Sequence, residues 1–577
     1  METLDSQNGW FTPDSSVPAL KAGCRALLIP LLMILPLAPA WPQEKIQPWL
    51  QTQAQGEGQV EFLVIMQDQS DLRQANALST KAEKGRFVHQ SLKRQALTSQ
   101  PPLREWLEAM GIEYRSFTIV NALWVKGNRS ILEMLAQRTD VARLEANPRV
   151  PAKLPQPQSA GSQPALTLGV EWNIVQTRAP EVWSQGYQGE GIVIGGQDTG
   201  YRWTHESLKA AYRGWDGTTA DADHDYNWHD AIHSGGGICG ADSSSPCDDN
   251  GHGTHTMGTA VGGYGGTNQI GMAPGAKWIG CRNMDQGVGT PATYLECFDF
   301  FLAPYPVGGD SSQGDPTMAP DITTNSWSCP PSEGCSALTL KTAVDNLLAA
   351  GILTIAAAGN SGPRCGTINA PPALYDSAYT VGNLTSTSTI SSSSSRGPAA
   401  TTGLVKPDIM APGTSVRSAY GGGDTAYATM TGTSMATPHV AGAAALIASA
   451  APGYRKNPEA TEELLNASAL SLPDIRESCG GDYDNGPNNS WGHGALDVMT
   501  AYENTLIDDL VLQGETIDAK AIYQARRTIT LGPDFILAPG GTLILRAGER
   551  LIFNVGLRVE AGASLKARID PRLLPDP

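Results

Sequence analysis

Three stretches of the chain differ in how apolar and polar residues alternate. Between residues 171 and 503, continuous apolar runs are separated by helical or loop stretches. Strands that are apolar on both faces and alternate with helices are typical of a parallel sheet covered on both sides. We therefore predict an α/β domain with a doubly wound parallel sheet. Its strands should contain the runs GIVIGGQ, WIGCRNM, DITTNSW, GILTIAAAGN and AYTVGNL.

Residues 56–150 show alternating strand and helix periods over shorter segments. The order β-α-β-α-β predicts a small open-faced α+β domain ahead of the larger one. The expected strands are Val60–Met66, Ser116–Val125 and Val141–Asn147, and the expected helices are Lys81–Leu97 and Ser130–Arg138. Residues 151–170 are rich in Pro, Gln and Ser and have no apolar period, which indicates an accessible linker.

Residues 510–577 repeat short alternating strands that are broken by glycine at positions 541, 548, 556 and 562. This pattern predicts a small all-β domain, in the form of a few rungs of a β-solenoid.

The N-terminus has the features of an export signal. Lys21 and Arg25 precede the apolar run Ala26–Leu37, which is too short to span a bilayer and ends in Ala38-Pro39-Ala40. A buried core helix is the alternative, and two prolines inside the run disfavour it. We expect residues 1–40 to be a signal peptide and the protein to be secreted, either extracellular or periplasmic and surface-associated. We expect no membrane span once this signal is removed.

Charge and cysteine content agree with export. The formal net charge is −17. Because binding of nucleic acid would need a basic patch, we expect no nucleic-acid partner. Removal of the signal leaves eight cysteines, and an even number in an oxidising compartment indicates disulfides. Close spacing favours Cys239–Cys247 and Cys281–Cys297, and the pairing of the other four stays open. No CxxC pair is present, which disfavours a zinc ribbon.

Three segments carry residues suited to acyl transfer. Asp198 lies in GGQDTG, His252 in NGHGTHTMGT, and Ser434 in GTSMATPHVAG. A serine hydroxyl is a weak nucleophile until a neutral histidine accepts its proton. The histidine in turn needs a buried carboxylate that fixes its tautomer. The three residue types together predict a nucleophile, a general base and an orienting acid.

Two further features would stabilise the negative charge of the reaction. Ser434 is expected at a helix N-terminus, where free N–H groups and the helix dipole favour an anion, with Pro438 in the first turn. Asn360, in AAAGNSGP at the end of an apolar run, can supply a second donor to an oxyanion hole.

Each of these residues also has a plainer interpretation. Asp198 and Asn360 occur in turn-like sequences, and Ser434 suits an N-cap. His252 and His255 are spaced like a metal pair, but no third ligand is suitably placed, and His255 is better explained as a structural histidine near the triad. The four residues occur together and in this order, which catalysis explains and four separate plain interpretations do not.

The order Asp, His, Ser and the segment G-T-S-M-A distinguish the chain from lipase-like and chymotrypsin-like arrangements. The four segments resemble the signatures of the subtilase family, over about Trp172 to Tyr502. NSWSCPPSEGC and SGPRCGTINAPPALY are most similar to the bacillopeptidase F branch. The resemblance implies a serine endopeptidase with Asp198, His252 and Ser434 as catalytic triad and Asn360 in the oxyanion hole. It also implies protein or peptide substrates and an autoprocessed zymogen with an inhibitory propeptide domain over residues 56–150. We further expect a monomer.

By the same resemblance, Ser326, Trp327 and Ser328 pair with an extended substrate backbone. The walls of the primary specificity pocket are expected to be Ala356, Ala357, Ala358 and Gly359. Asn369 matches the pocket base, where many relatives have glycine, so we expect a shallower or more polar pocket.

No cofactor is required for this chemistry. The acidic run Asp221–Asp230 is best explained as a solvated loop because it lacks the glycine and glutamate of an EF-hand, so a structural calcium ion is implied by resemblance only. Two other functions fit the sequence less well. A catalytically silent binding protein is disfavoured by the intact triad, and a lipase is disfavoured by the missing G-x-S-x-G segment.

Overall fold

The computed structural model describes residues 42–56, 58–158, 169–263, 268–472, 479–484 and 486–574. The predicted signal peptide and residues 159–168 of the predicted linker lie outside this range. No helix in the described part of the chain is long and apolar enough to cross a membrane.

The centre of the structure is a parallel sheet of seven strands, which confirms the predicted fold class. All five predicted apolar runs contribute a strand, and two further strands form the edges. In spatial order, the strands are Ile409–Pro412, Tyr379–Leu384, Leu353–Ala357, Ile322–Asn325, Val193–Asp198, Lys277–Arg282 and Trp228–Asp230.

Both faces of this sheet are buried. Ile355 and its neighbour Ala356 belong to two different apolar clusters, and successive strand residues point to opposite faces. The long helix Thr433–Ala450 is buried along nearly its whole length, because its many alanines and Gly442 allow close packing against the strands. The other helices of this domain are Trp172–Gln176, Ala179–Ser184, His252–Val261, Pro291–Leu302, Lys341–Ala349, Pro458–Ala467 and Val498–Thr505.

The N-terminal domain is a four-stranded antiparallel sheet with helices beside it. The spatial order of its strands is Glu113–Phe117, Ala122–Gly127, Val60–Met66 and Val141–Ala146, and its main helices are Lys81–Ser99, Pro101–Ala109 and Arg129–Ala136.

The prediction of one strand over Ser116–Val125 is wrong, because this segment is a hairpin in which Phe117 pairs with Ala122. The turn itself contains the apolar residues Ile119 and Val120, which are buried against the large domain. The apolar pattern therefore runs through the turn without a break.

The hairpin connects the N-terminal domain to the helix Pro291–Leu302 of the large domain. Asp299 of that helix accepts the backbone N–H groups of Thr118 at 2.8 Å and of Ile119 at 2.9 Å. Arg115 forms an ion pair with Glu296 on the same helix, at 2.8 Å. The N–H groups of Thr118 and Ile119 thus find their acceptor on the other domain.

The C-terminal domain is a three-sided solenoid of parallel strands, as the glycine spacing predicted. Thr542 pairs with Ser564, which gives an offset of 22 residues between neighbouring rungs. Aliphatic side chains such as Leu543 and Leu545 fill its interior. The three sides are formed by Asp509–Leu512, Thr528–Leu531 and Arg550–Phe553; by Thr516–Ile517, Ile536–Leu537 and Arg558–Val559; and by Lys520–Ala525, Thr542–Ala547 and Ser564–Ile569.

Four cysteine pairs lie at disulfide distance. The pairs Cys239–Cys247 and Cys281–Cys297 confirm the two predicted bridges. The remaining cysteines, whose pairing the spacing left open, form Cys329–Cys335 and Cys365–Cys479.

Glu462, on the helix Pro458–Ala467, should make stability depend on pH. Burial, together with the nearby Asp408 carboxylate, raises the pKa of Glu462 to about 8. This pKa is higher in the folded chain than in the unfolded chain. The contribution of Glu462 to the free energy of unfolding is therefore complete at a pH below the ordinary pKa of glutamate, and it is lost as the pH rises through about 8. We expect Glu462→Gln to stabilise the protein by about 1 to 2 kcal/mol at pH 9 and to have little effect at pH 4. Thermal unfolding at the two pH values checks this, and an equal effect at both would contradict it.

Candidate active site

Asp198 and His252 meet at the carboxyl edge of the central sheet. Asp198 is the last residue of its strand, and His252 is the first residue of the helix His252–Val261. His252 Nδ1 donates to Asp198 Oδ1 at 2.7 Å, and both side chains are buried. The carboxylate thereby fixes the tautomer in which Nε2 is free to accept a proton.

Asp248 positions this pair, although the sequence analysis missed it. Its Oδ1 accepts from Thr199 Oγ1 and Gly251 N, and its Oδ2 accepts from Thr254 N and Thr254 Oγ1, at 2.6–3.0 Å. The carboxylate thus caps the helix that begins at His252 and ties it to the residue after Asp198. An acidic residue four positions before the histidine was the available signal.

Ser434 is the second residue of the helix Thr433–Ala450, so the predicted helix N-terminus is present. The prediction for Pro438 is wrong, since it is the sixth residue of the helix rather than part of its first turn. Proline cannot donate to the carbonyl four residues earlier, which is that of Ser434. Ser326 Oγ donates to this carbonyl instead, at 2.9 Å, and Ser434 Oγ donates to Ser326 O at 3.2 Å.

The Ser434 hydroxyl is therefore hydrogen-bonded to Ser326 and not to His252. His252 Nε2 is buried and has no hydrogen-bond partner among the described residues. Hydrogen bonds between a nucleophile and its base commonly tighten only when substrate is bound.

Asn360 follows the strand Leu353–Ala357 and lies beside the start of the serine helix. Its Oδ1 accepts from Thr433 N at 2.9 Å and from Thr433 Oγ1 at 3.2 Å. The side-chain oxygen is thereby engaged, which leaves the NH₂ group available as a donor near Ser434. The geometry matches two donors, Asn360 and the helix N-terminus, around one developing anion.

Comparison with known proteins identifies this arrangement. Residues 189–494, more than half of the chain, match the model of the subtilase family. The chain belongs to the subtilase family. This region contains Asp198, His252, Asn360 and Ser434, and it confirms the resemblance drawn from their segments.

Several individual subtilases are similar to this chain. Bacillopeptidase F of Bacillus subtilis (strain 168) is 33% identical over 451 residues, which are 74% of this chain and 29% of the relative. Subtilisin DY of Bacillus licheniformis is 33% identical over 308 residues, 53% of this chain and 93% of the relative. Subtilisin E of Bacillus subtilis (strain 168) is 31% identical over 287 residues, 49% of this chain and 62% of the relative. The chain thus spans under a third of the length of Bacillopeptidase F.

Two other buried histidines of the subtilase domain have structural environments. His255 Nε2 donates to the carbonyl oxygens of Val416 and Ala428, both at 3.1 Å, and burial lowers its pKa to about 3. Burial also lowers the pKa of His439 to about 4. Both therefore remain neutral at physiological pH.

A cavity of about 180 Å³ opens beside Ser434. Its walls include Ala357, Ala358 and Gly359, with Asn369 nearby, as the resemblance implied. Ala356, by contrast, is fully buried within the sheet and is not part of this lining, because the strand continues to Ala357.

The segment Ser326–Ser328 follows the strand Ile322–Asn325 and lines the same cavity. The Trp327 side chain faces the core, where its ring stacks on that of Tyr294 with centroids 4.0 Å apart. Only the backbone of Trp327 is therefore suited to contact a substrate chain.

The start of the predicted linker runs through this cleft. Val150–Pro151 forms an antiparallel ladder with Val288–Gly289, and Ala152 N donates to Gly287 O at 2.9 Å. Further along, Gln158 N donates to Thr429 O at 2.9 Å. An extended segment of the chain itself thus crosses the cleft in the manner of β-augmentation. The sequence did not predict the strand Val288–Gly289, because two residues are too few to show a hydrophobic periodicity.

No group of three or more possible metal ligands comes together in the part of the chain that the structure describes. The acids of Asp221–Asp230 have other partners: Asp225 accepts from Val307 N at 2.9 Å, and Asp230 forms a two-point ion pair with Arg282. Within the described residues, the carboxylates of this run do not gather into a set of three or more.

Removal of the Asn360 side chain tests the donor role. We expect Asn360→Ala to lower kcat about 100- to 1,000-fold with little change in KM, because the donor acts on charge that develops only in the transition state. Steady-state hydrolysis of a peptide substrate provides the measurement. A change confined to KM would contradict the assignment.

Proposed function

We propose that this subtilase is a secreted serine endopeptidase, made as a zymogen that processes itself. The observation that carries the proposal is the meeting of a buried Asp198–His252 pair, Ser434 at a helix N-terminus and the Asn360 amide at one sheet edge. Its substrates are proteins or peptides.

The reaction is acyl transfer from a peptide bond. Ser434 Oγ attacks the carbonyl carbon while its proton passes to His252 Nε2, and the oxyanion accepts from Asn360 and the helix N-terminus. The C–N bond then breaks, and the departing amine takes the proton from His252. A water molecule hydrolyses the ester in the same way, which releases the acid and restores Ser434. Subtilases need no cofactor for this chemistry.

Residues 56–150 are proposed to act as the inhibitory propeptide domain. In support, the domain packs on the subtilase domain through the hairpin, and the chain that leaves it occupies the cleft.

Four disulfide pairs favour export to an oxidising compartment, which is extracellular or periplasmic and surface-associated. We further propose that the enzyme is monomeric. A structural calcium ion, implied by the family, has no step in this mechanism.

Ser434→Ala should abolish both hydrolysis of casein and maturation of the enzyme's own chain. The linker is tethered to the site, so cutting in cis is favoured by its high effective concentration. Without the nucleophile, kcat falls by about six orders of magnitude. Mass spectrometry of the secreted variant should find an uncut linker. Normal maturation in a protease-deficient host would show that another enzyme cuts it, and retained casein hydrolysis would exclude Ser434 from the mechanism.

Inhibition by the N-terminal domain should depend on Asp299. Burial raises the pKa of Asp299 to about 7, so at pH 8.5 its carboxylate is ionised and accepts the N–H groups of Thr118 and Ile119. We expect the added domain to inhibit the processed enzyme at micromolar concentration or below. Asp299→Ala in the enzyme should weaken this inhibition about tenfold or more, because two buried N–H groups lose their acceptor. Absence of inhibition of the wild-type enzyme would overturn the propeptide assignment.

A further inference from the structure

The wall of the specificity cavity contains a carboxylate that the family resemblance did not indicate. Glu333 ends the short turn Pro331–Glu333, inside the loop that the Cys329–Cys335 pair closes. It lines the cavity beside Ser434 together with Asn369. Its Oε2 is buried and has no hydrogen-bond partner among the described residues.

A buried carboxylate oxygen without a partner is unfavourable, because it has lost water and gained nothing in exchange. Burial accordingly raises the pKa of Glu333, and the positive charge of Lys153 opposes this change. Of the described residues that line the cavity, only Glu333 and Lys153 carry a charge. A cation that enters the cavity would therefore meet one carboxylate and no competing anion.

The path of the linker brings Lys153 to this cavity. Val150 and Pro151 pair with Gly289 and Val288, and Ala152 follows them along the same edge. Two residues after Lys153, the ring of Pro155 passes so close to Gly432 that a β-carbon there would lie 2.8 Å from it. The chain thus crosses the segment before Ser434 between Ala152 and Pro155, with Lys153 exposed and lining the cavity.

The loop that carries Glu333 is held in place from two sides. The disulfide Cys329–Cys335 closes it, and Gln47 Nε2 of the N-terminal domain donates to Gly334 O at 2.8 Å. Gly334 has φ of +100°, and a β-carbon there would lie 2.7 Å from the ring of Trp49. A fixed carboxylate can discriminate between charges better than a mobile one.

We propose that Glu333 selects lysine or arginine on the amino side of the bond that is cut, and that Lys153–Leu154 is the bond cut in maturation. This inference rests on the proposed function and adds its substrate class: proteins with accessible basic residues. A lysine or arginine side chain of a substrate that enters the cavity would pair with Glu333, whereas a neutral side chain would leave it unpaired.

The first test uses the processed enzyme and a set of peptides that differ only in the residue before the cut. We expect kcat/KM for lysine and arginine to exceed that for methionine or glutamine. In Glu333→Gln, the ratio of kcat/KM for the lysine peptide to kcat/KM for the methionine peptide should fall about tenfold to a hundredfold, because the basic side chain loses its charged partner. Glu333→Asp should keep part of the preference. Glu459→Gln, which removes the same charge from an exposed helix, should leave the ratio unchanged.

The outcomes separate the two proposals. Failure of the wild-type enzyme to hydrolyse any peptide would overturn the proposed function. Hydrolysis without a basic preference, or a preference that Glu333→Gln leaves intact, would overturn only the role of Glu333. The wild-type profile decides this even if a variant fails to fold.

The second test maps the mature N-terminus. N-terminal sequencing of the secreted enzyme should find Leu154 as the first residue after the initial cut. Lys153→Arg should mature at the wild-type rate, whereas Lys153→Glu should mature at least about tenfold more slowly, since two carboxylates would face each other. Equal maturation of Lys153→Glu at the same bond would overturn the assignment of this bond.

Discussion

The hydrogen bond between His252 and Asp198 requires two distant segments to meet at one edge of a parallel sheet. Strands of such a sheet all end on the same side, so Asp198, Ser326 and Asn360 arrive together without a dedicated scaffold. Asp248 then fixes the start of the helix that carries His252. Because both side chains are buried, the pair is shielded from water. The hydrogen bond keeps the proton of neutral His252 on Nδ1, so that Nε2 can accept another proton.

A second, smaller sheet explains how the start of the linker is arranged. The strand Val288–Gly289 pairs on one side with Met284–Asp285 and on the other with Val150–Pro151, which the chain itself supplies. The N-terminal domain holds that segment in place through the hairpin and Asp299. The solenoid lies elsewhere on the subtilase domain, where Arg546 donates to the Gln185 carbonyl at 2.8 Å. No described contact connects it to the cleft.

The sequence predicted those parts of the structure in which local pattern and final environment agree. Apolar runs buried on both faces predicted five central strands, and the segment around Ser434 predicted its helix. The hairpin at Thr118–Asn121 was missed because its turn is buried against another domain, so it is apolar where turns are usually polar. Glu333 was missed because nothing local marks a carboxylate that faces a cavity built from residues distant in the chain.

The central claim is that Ser434 is the nucleophile of an active subtilase. The most direct measurement is peptide mapping by mass spectrometry after the processed enzyme has reacted with a fluorophosphonate, a reagent that modifies activated serines. The account predicts one adduct per molecule, located on Ser434 and abolished by Asp198→Asn, because Ser434 is activated only through the oriented His252. Absence of an adduct, or an adduct on another serine, would contradict it.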